Sequence, residues 1–349
     1  MRAEDMASML DYTSKVAKAM NIIVNKPDVD VSPTPYDVVF QKDKIRLLRY
    51  RPVRKDVASI PVLITYALVN RPYILDLQAD RSVVQAMLNA GLDVYLIDWG
   101  KPGPTDKYIT LEDYLNIYYD SCMDVVRDST GVDQITMLGY CMGGTMGMMY
   151  TILHPEKVKA QVCMASQFDF HQGQGDLNRW AMYLDIDKVV DSYGNVPADF
   201  LNAGFSLLDP IRNYILKYVQ LVDLVDDPEG LNNFLRMEKW INDGIPVVGE
   251  TYREFIKYGY QENRLVKKTW EIGGKVMDLS KVTVPVLNIV AMKDTIIPPE
   301  SSLALKGHVG SKDYTLLTLE AGHIGLSVSR KAHREIWPKA CQWIIDHSK

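Results

Sequence analysis

A short Gly-x-Cys-x-Gly segment, residues 139–143, constrains the fold of this chain more than any other feature. A β-rich run from Gln134 to Tyr140 leads into it, and a run suited to helix, Met142 to Leu153, leaves it. A glycine on each side is needed because a sharp strand-to-helix turn brings neighbouring backbones together and leaves no room for a Cβ. The segment therefore predicts that Cys141 is held above the edge of a sheet, at the start of a helix.

This strand, turn and helix form the nucleophile elbow of α/β-hydrolases, with Cys141 in the place of the usual serine. The positive end of the following helix favours the nucleophilic thiolate. The amide N–H of Met142 would point at a developing oxyanion. The alternative interpretation is a buried structural cysteine beside helix-packing glycines, because short motifs carry a real false-positive risk. The rest of the chain decides between these two interpretations.

The composition excludes several classes of function. With 47% hydrophobic and 24% charged residues, the chain is expected to fold around a substantial core. The net charge of −5 argues against general nucleic-acid binding. We expect no secretory leader, because residues 1–25 lack a basic-then-apolar pattern. We also expect no membrane span, because no apolar run approaches the required length of about 20 residues.

The cysteine pattern favours reduced thiols in the cytoplasm over a disulfide framework. The four cysteines are far apart in the sequence: Cys122, Cys141, Cys163 and Cys341. No His/Cys/Asp cluster has the spacing of metal ligands, and no glycine-rich phosphate loop is present. We therefore expect neither a metal ion nor a bound cofactor.

Strand and helix patterns alternate through much of the chain, which predicts a mostly parallel sheet flanked by helices. The predicted strands are Val38 to Tyr50 with a break near 42–44, Ile60 to Ala67, Leu92 to Ile97, Gln134 to Tyr140, Lys157 to Ser166, Val284 to Ala291 and Tyr314 to Leu319. The predicted helices are 3–25, Asp80 to Ala90, Leu111 to Asp128 with Tyr, Ile and Met on its inner face, Met142 to Leu153 and about 330–346. The first of them carries an apolar stripe of six residues, Met6, Met9, Leu10, Val16, Met20 and Ile23, and we expect this stripe to pack on the body of the protein.

The alternation stops between residues 168 and 278, where the segments are mostly helical, rich in aromatic residues and without a clear strand. This pattern predicts an inserted cap above the edge of the sheet. The expected organisation is an N-terminal helix with lead-in strands over 1–55, an α/β-hydrolase core over 56–167 and 279–349, and the cap over 168–278.

A thiol nucleophile needs a base, and the base needs an acid that orients it. In this fold the chain order is nucleophile, acid, histidine, with the last two on loops after late strands. Asp294 follows the strand Val284 to Ala291, and His323 follows the strand Tyr314 to Leu319. Asp169, which follows an earlier strand, is the alternative acid. The second oxyanion donor should come from the loop after the third strand, and the amide of Val69 is the candidate.

Nearly the whole chain resembles the polyhydroxyalkanoate synthases (PhaC). The resemblance is carried by six stretches: Tyr66-Ala67-Leu68-Val69-Asn70-Arg71-Pro72-Tyr73, Asp93-Val94-Tyr95-Leu96-Ile97-Asp98-Trp99-Gly100, Gly139-Tyr140-Cys141-Met142-Gly143-Gly144, Asp191-Ser192-Tyr193-Gly194-Asn195-Val196-Pro197, Phe234-Leu235-Arg236-Met237-Glu238-Lys239-Trp240 and Gly322-His323-Ile324-Gly325. It implies that Cys141, Asp294 and His323 are the catalytic residues, in agreement with their positions. Many relatives have histidine directly after the catalytic aspartate, whereas this chain has Thr295.

The resemblance implies transfer of 3-hydroxyacyl groups, such as 3-hydroxybutyryl, from coenzyme A (CoA) to a growing polyester, through an acyl-cysteine. CoA is then substrate and product, not a bound cofactor. CoA is polyanionic, so basic cap residues are candidates to line its entry: Arg212, Arg236, Lys239 and Arg253. For each of them taken singly, an ordinary solvated charge is the favoured alternative. A cysteine-type hydrolase, meaning a thioesterase or esterase, is the alternative on the same fold. A silent scaffold bound to polyester granules is a second alternative, and an intact triad argues against it.

The short length resembles the two-subunit synthases, which need a second, non-homologous subunit. Residues 140–142 and 242–246 favour a PhaR-type partner, whereas residues 70–72 favour a PhaE-type partner, so both partner types remain open. The family resemblance further implies a homodimer located in the cytoplasm, at the surface of polyester granules.

Overall fold

A computed structural model describes residues 3–56, 60–173 and 175–348. An eight-stranded sheet lies at its centre, in the order β1-β2-β4-β3-β5-β6-β9-β10. The strands, with the small β7–β8 hairpin outside this sheet, are β1 Tyr36–Lys42, β2 Ile45–Tyr50, β3 Val62–Thr65, β4 Val94–Asp98, β5 Ile135–Tyr140, β6 Val158–Met164, β7 Glu271–Ile272, β8 Lys275–Val276, β9 Val286–Ala291 and β10 Tyr314–Leu319. The seven predicted strand regions are all present, with ends that shift by at most two residues.

Strands β3 to β6, β9 and β10 pair in parallel, whereas β1 and β2 join as an antiparallel hairpin that pairs antiparallel with β4. Every residue of β3, β4, β5 and β9 is buried, as expected for parallel strands covered by helices on both faces. The predicted mostly parallel sheet is therefore confirmed. The parallel pairing brings the carboxyl ends of β5, β9 and β10 to one edge of the sheet. The predicted site residues come directly after these ends.

Helices flank both faces of the sheet. The α-helices outside the 168–278 segment are Ala3–Asn25, Val83–Asn89, Leu111–Asp113, Asp120–Thr130, Met142–Leu153, Pro299–Leu303, Leu305–His308, Gly325–Val328, Arg330–Glu335 and Trp337–Asp346. A widened π-helical stretch, Tyr114–Tyr119, joins two of them into one continuous helix. Short 3₁₀ turns occur at Pro72–Asp76, Ala79–Arg81, Pro104–Tyr108, Pro155–Lys157 and Leu279–Lys281.

The segment 168–278 is mostly helical, as its sequence predicts. Its α-helices are Asp176–Tyr183, Ile186–Tyr193, Ala198–Ser206, Lys217–Leu224, Pro228–Asn242, Gly249–Glu254 and Arg264–Lys267, with π-helical stretches at Arg212–Leu216 and Phe255–Gln261. The expectation of no strand here was wrong, because β7 and β8 form a small hairpin. Gly273 and Gly274 connect them with φ values of 57° and 72°, a conformation that glycine adopts without steric cost. Strands of two residues are too short to show an alternating pattern.

The first helix departs from its prediction, because most of its apolar stripe faces solvent. Met9, Leu10 and Met20 are 63%, 65% and 61% exposed, and only Ala19 is fully buried. The helix packs against the cap helix Lys217–Leu224 over a narrow strip beside an ion pair between Lys18 and Asp226. Periodicity identifies an apolar face but does not identify what covers it.

Two further helix predictions need correction. In the helix that starts at Leu111 the tyrosines and Met123 point inward, but Ile117 is 42% exposed. The helix predicted over about 330–346 is two helices, Arg330–Glu335 and Trp337–Asp346. Pro338 lies in the first turn of the second helix, where its missing N–H is tolerated, so a new helix begins there.

Several hydrogen bonds join the cap to the core. The Glu254 carboxylate accepts from the amide of Leu111 at 2.6 Å, at the start of a core helix. The hydroxyl of Thr251 donates to the carbonyl of Ile109 at 2.6 Å, and the indole of Trp240 donates to the carbonyl of Arg71 at 2.8 Å. The cap is thus tied to the loops that follow the carboxyl ends of the strands.

Glu254 should make the stability of the protein depend on pH. Burial, together with the nearby carboxylates of Glu250, Asp113 and Glu112, raises its pKa to about 7. A carboxyl group whose folded pKa is raised stabilises the fold at low pH, and this contribution is lost as pH rises through the folded pKa. Glu254→Gln keeps an acceptor for the Leu111 amide but cannot ionise. As pH rises from about 5 to 8, we expect the melting temperature of this variant to fall less than that of the wild-type protein.

Thermal unfolding of both proteins across this pH range measures the effect. Glu320→Gln is a matched control, because the Glu320 side chain is 59% exposed and its ion-pair partner is Lys293. Parallel curves for the wild type and Glu254→Gln would contradict the expected ionisation of Glu254.

Candidate active site

Cys141 occupies the turn between β5 and the helix Met142–Leu153. Its backbone has φ 58° and ψ −129°, a strained conformation for a residue with a side chain, which costs on the order of 1–3 kcal/mol. Its amide donates to the carbonyl of Met164 at 2.9 Å, and its own carbonyl accepts from the amide of Gly144 at 3.0 Å. These bonds to β6 and to the first helical turn hold the strained residue in place.

The glycines of the elbow are required by close backbone contacts. A Cβ on Gly143 would lie 2.1 Å from the carbonyl oxygen of Thr65, and one on Gly139 would lie 2.3 Å from the Cα of Gly144. Both distances are impossible for non-bonded atoms, so a larger residue would push the helix away from β3 and β5. The mechanical reason given for the glycines in the sequence motif therefore holds in the structure.

Asp294 and His323 meet at the carboxyl edge of the sheet. His323 Nδ1 lies 2.6 Å from Asp294 Oδ2, and both side chains are almost completely buried. The other carboxylate oxygen, Oδ1, accepts from the amides of Ile296 and Ile297, each at 2.9 Å. The aspartate is therefore fixed by two backbone donors, and it in turn fixes one nitrogen of the imidazole. Nε2 remains for proton exchange.

Tyr140, the residue before the nucleophile, supports His323. The two rings stack with centroids 5.2 Å apart and an interplanar angle of 23°, and the Tyr140 hydroxyl donates to the His323 carbonyl at 3.1 Å. Burial by itself would lower the pKa of His323, but the Asp294 carboxylate outweighs it and leaves the pKa well above its usual range. The site thus favours the imidazolium form that develops when His323 takes up a proton.

Cys141 and His323 line the same cavity, whose volume is about 590 Å³. Its wall is mostly apolar. Cap side chains make up much of it, among them Trp180, Leu184, Phe200, Leu207, Met237, Trp240, Tyr252, Phe255 and Tyr260. Trp180 and Leu207 are also 42% and 52% exposed. An apolar cavity of this size is chemically suited to an acyl chain and disfavours water beside the sulfur.

Both proposed oxyanion donors also lie at this cavity. Met142 is the first residue of its helix, so its amide has no acceptor within the helix. Val69 lies in the loop after β3 and lines the cavity as well. The next residue, Asn70, has φ 65°, and its side-chain oxygen accepts from the amide of Arg71 at 2.8 Å, which fixes the loop.

Asp169, the alternative acid, has other partners. Its Oδ1 accepts from the side chain of Asn263 at 2.8 Å and from the amide of His171 at 3.1 Å. Four other histidines also make contacts with other residues: His154 with Asn116, His171 with Tyr260, His333 with Ser327 and His347 with Asp313. Of the two candidate acids, Asp294 is the one that contacts His323.

Three of the four basic residues considered for CoA have acidic or carbonyl partners within the protein. Arg253 forms ion pairs with Asp187 and Asp191 within the cap. Lys239 pairs with Asp28 at 2.5 Å, and Arg236 donates to the carbonyl of Asp30 at 2.9 Å. These two join the cap to the segment after the first helix. The fourth, Arg212, lies in the π-helical stretch Arg212–Leu216.

The remaining cysteines are buried, and Cys141 is the partly exposed one of the four. Burial raises the pKa of Cys122 and of Cys341 to about 12, and it raises the pKa of Cys163 further. These thiols are therefore poor nucleophiles. In the part of the chain that the structure describes, no group of three His, Cys, Asp or Glu side chains could hold a metal ion.

Sequence reasoning missed the contribution of Tyr140. Tyr140 is a strand residue whose pattern indicates only burial, and its contact with His323 spans 183 positions. No local pattern encodes such a contact.

Comparison with known proteins identifies the family to which the chain belongs. A family model described as the α/β-hydrolase fold matches residues 61–329, and one described as the N-terminus of poly-β-hydroxybutyrate polymerase (PhaC) matches residues 3–87. The poly(3-hydroxyalkanoate) polymerase subunit PhaC of Allochromatium vinosum is 46% identical over 96% of this chain and 95% of its own length. The chain belongs to this family.

The subunits of the same name from Haloferax mediterranei and Synechocystis are 44% and 43% identical. The match with the Haloferax subunit spans 99% of this chain and 70% of that subunit. The match with the Synechocystis subunit spans 98% of this chain and 93% of that subunit. The predicted PhaC resemblance is thus confirmed, and membership of this polymerase family makes the chain an enzyme of the acyltransferase class.

Solved structures confirm the fold class. A candidate lipase from Sulfolobus solfataricus superposes with a TM-score of 0.57 at 12% identity, over 89% of this chain and 99% of its own. A metagenome-derived lipolytic enzyme, from work on LipS and LipT, superposes with a TM-score of 0.50 at 14% identity, over 92% of this chain and 100% of its own. At such identities the likeness concerns the fold alone. Of the described helices, none combines the length and apolar character that crossing a bilayer requires.

Proposed function

We propose that this chain polymerises 3-hydroxyacyl groups, of which 3-hydroxybutyryl is the simplest candidate, from their CoA thioesters into polyhydroxyalkanoate. Family membership supports the polymerisation, since the relatives are named poly(3-hydroxyalkanoate) polymerase subunits. The observation that carries the mechanism is the hydrogen bond between Asp294 and His323 at the cavity that Cys141 also lines. In this proposal Cys141 is the nucleophile, His323 the base and Asp294 the acid that orients it.

The first half-reaction transfers the acyl group to the enzyme. His323 Nε2 takes the proton from the Cys141 thiol, and the thiolate attacks the thioester carbonyl carbon. The amides of Met142 and Val69 stabilise the oxyanion that forms. The bond between the carbonyl carbon and the CoA sulfur then breaks, and CoA leaves as a thiol with the proton from His323. An acyl-cysteine remains.

The second half-reaction forms the ester. His323 takes a proton from the hydroxyl of a second substrate or of the chain end, and this oxygen attacks the acyl-cysteine carbonyl. The carbon–sulfur bond breaks, and the Cys141 sulfur recovers the proton. Exchange of one thioester for another is nearly isoenergetic, so the acyl group remains activated until the hydroxyl arrives. The apolar wall of the cavity supports this order of events because it disfavours water as a competing nucleophile.

We further propose that the enzyme works in the cytoplasm at the surface of polyester granules, as a homodimer with a second subunit of the PhaE or PhaR type. No resident cofactor or metal takes part in this scheme, since CoA enters as part of the substrate and leaves as product. Exposed apolar residues on the first helix and on cap residues 207–219 supply surface for such contacts, for example Met9, Leu10, Ile211 and Ile215.

Incubation with 3-hydroxybutyryl-CoA, with and without the second subunit, tests the proposal. We expect CoA release to accompany the formation of insoluble polyester. We propose that the cap restricts access to Cys141, so the isolated chain should be slow, and the second subunit should raise the rate by favouring an open cap. Stoichiometric formation of free 3-hydroxybutyrate, with no polymer in either mixture, would favour a thioesterase instead.

A further inference from the structure

Gln167 is a buried amide at the active-site cavity that the mechanism above does not use. It follows β6 after Ala165, whose φ of 44° turns the chain, and it lines the cavity together with Cys141 and His323. The residue is 2% exposed. Neither its side-chain oxygen nor its side-chain nitrogen has a hydrogen-bond partner among the residues that the structure describes.

The position of Gln167 next to the nucleophile is fixed by its backbone. The hydroxyl of Thr145 donates to the Gln167 carbonyl at 2.7 Å. Thr145 lies four residues after Cys141, one turn further along the helix that starts at the elbow. Ser302 donates in the same way to the carbonyl of Ser166. The Gln167 backbone is therefore held against the first turns of the nucleophile helix.

An unpartnered buried amide is energetically costly, because its donor and its acceptor have lost their hydrogen bonds to water without replacement. Three other polar side chains of the cavity wall have partners within the protein. Asn202 donates to the carbonyl of Ile241 at 3.0 Å, Asn213 donates to that of Ser206 at 3.1 Å, and Lys217 pairs with Glu238 at 2.8 Å. Gln167 differs from them in having a free donor and a free acceptor, and a ligand oxygen would satisfy both once the side chain turns toward the cavity.

We propose that the Gln167 amide binds the oxygen on C3 of the acyl group and so selects 3-hydroxyacyl thioesters over unsubstituted acyl thioesters. The inference rests on the proposed function, since it concerns the same cavity and the same acyl group. A 3-hydroxyl can donate to the amide oxygen and accept from the amide nitrogen. Because both atoms are free, the two bonds can form with either orientation of the amide. Once the oxygen is esterified in the growing chain, the nitrogen still has an acceptor to bind.

Neighbouring polar groups are less suited to this role. Thr145 donates its hydroxyl proton to the Gln167 carbonyl, and the side-chain oxygen of Asn70 accepts from the Arg71 amide. Cys141 and His323 take part in bond formation and proton transfer in the proposed mechanism. Gln167 is the buried amide of the wall that the proposed mechanism leaves unused, and in this proposal it contacts the substrate away from the carbonyl carbon.

The test compares single-turnover acylation by 3-hydroxybutyryl-CoA and by butyryl-CoA, which differ only in the C3 oxygen. CoA release and the mass of the acyl-enzyme are followed together. In the wild type the hydroxyacyl substrate should react faster. In Gln167→Met, which keeps the shape of the side chain without its polar atoms, the ratio of the two rates should fall by about 10- to 100-fold. The fall should come from the hydroxyacyl substrate, with the butyryl rate unchanged or raised.

Gln78→Met is the matched control. Gln78 is 4% exposed, its amide oxygen also lacks a partner among the described residues, and it lies outside the residues that line the cavity. The same chemical change there should leave the rate ratio as in the wild type. Gln167→Asn, which keeps the amide on a shorter side chain, should retain part of the discrimination and gives a second variant should Gln167→Met fail to fold.

An unchanged ratio in folded Gln167→Met, or an equal loss with both substrates, would overturn the proposal while Cys141 acylation in the wild type still supports the mechanism. If wild-type Cys141 took up neither acyl group, the proposed function would fail, and this inference would fail with it.

Discussion

Replacing Cys141 with alanine is expected to abolish CoA release, with a loss of at least about 10⁴-fold, because removal of a nucleophile disables the whole catalytic unit. Cys141 lies at the strained elbow turn and lines the cavity that also holds His323. No other described thiol can replace it, since the other three cysteines are buried. The measurement is the initial rate of CoA release from 3-hydroxybutyryl-CoA by the folded variant.

The other cysteines supply the controls. Cys122→Ala, Cys163→Ala and Cys341→Ala should each keep most of the activity, because burial keeps these thiols protonated and away from the cavity wall. Each variant can lose some stability, since it removes a buried atom, so thermal unfolding should accompany the rate measurement. Appreciable turnover by Cys141→Ala would rule out covalent catalysis at this residue.

Asp294→Asn is expected to slow CoA release by about 10³- to 10⁴-fold while the fold is kept. The asparagine oxygen can still accept from the amides of Ile296 and Ile297, which directs its NH₂ group toward His323 Nδ1. His323 would then have to accept at Nδ1 and carry its proton on Nε2, the wrong tautomer for a base. The raised pKa of His323 should also fall, because the carboxylate that maintains it is gone.

Asp169→Asn is the control, because Asp169 follows β6 and contacts Asn263 and His171 rather than His323. We expect a mild change in rate and a measurable change in stability. If Asp169→Asn were inactive and Asp294→Asn active, the orienting acid would be Asp169, and the loop after β9 would have no catalytic function.

Much of the site could be predicted from the sequence because its signals are local. The glycines around Cys141 encode the elbow through backbone contacts, and the strands before Asp294 and His323 are short apolar runs that are easily recognised. Parallel pairing then brings the strand ends together without any knowledge of long-range contacts. The same logic identified the mostly helical character of residues 168–278, although their boundary as a separate domain remains a prediction.

The parts that escaped prediction depend on contacts between distant segments. The stacking of Tyr140 on His323 and the free amide of Gln167 at the cavity have no signal in local spacing. The apolar stripe of the first helix was expected to be buried, yet Met9 and Leu10 are exposed, because a periodic pattern does not reveal its partner. The basic residues proposed for CoA were chosen by charge alone, and the structure places Arg253 and Lys239 in ion pairs within the protein.

Mass spectrometry of the enzyme after incubation with butyryl-CoA tests the central claim most directly. Butyryl-CoA lacks the hydroxyl that would accept the acyl group, so the acyl-enzyme should accumulate where the cavity excludes water. We expect one butyryl group per chain, on the peptide that contains Cys141, and no such adduct in Cys141→Ala. Release of CoA with the butyryl group on another residue, or with no covalent adduct at any time, would contradict covalent catalysis at Cys141.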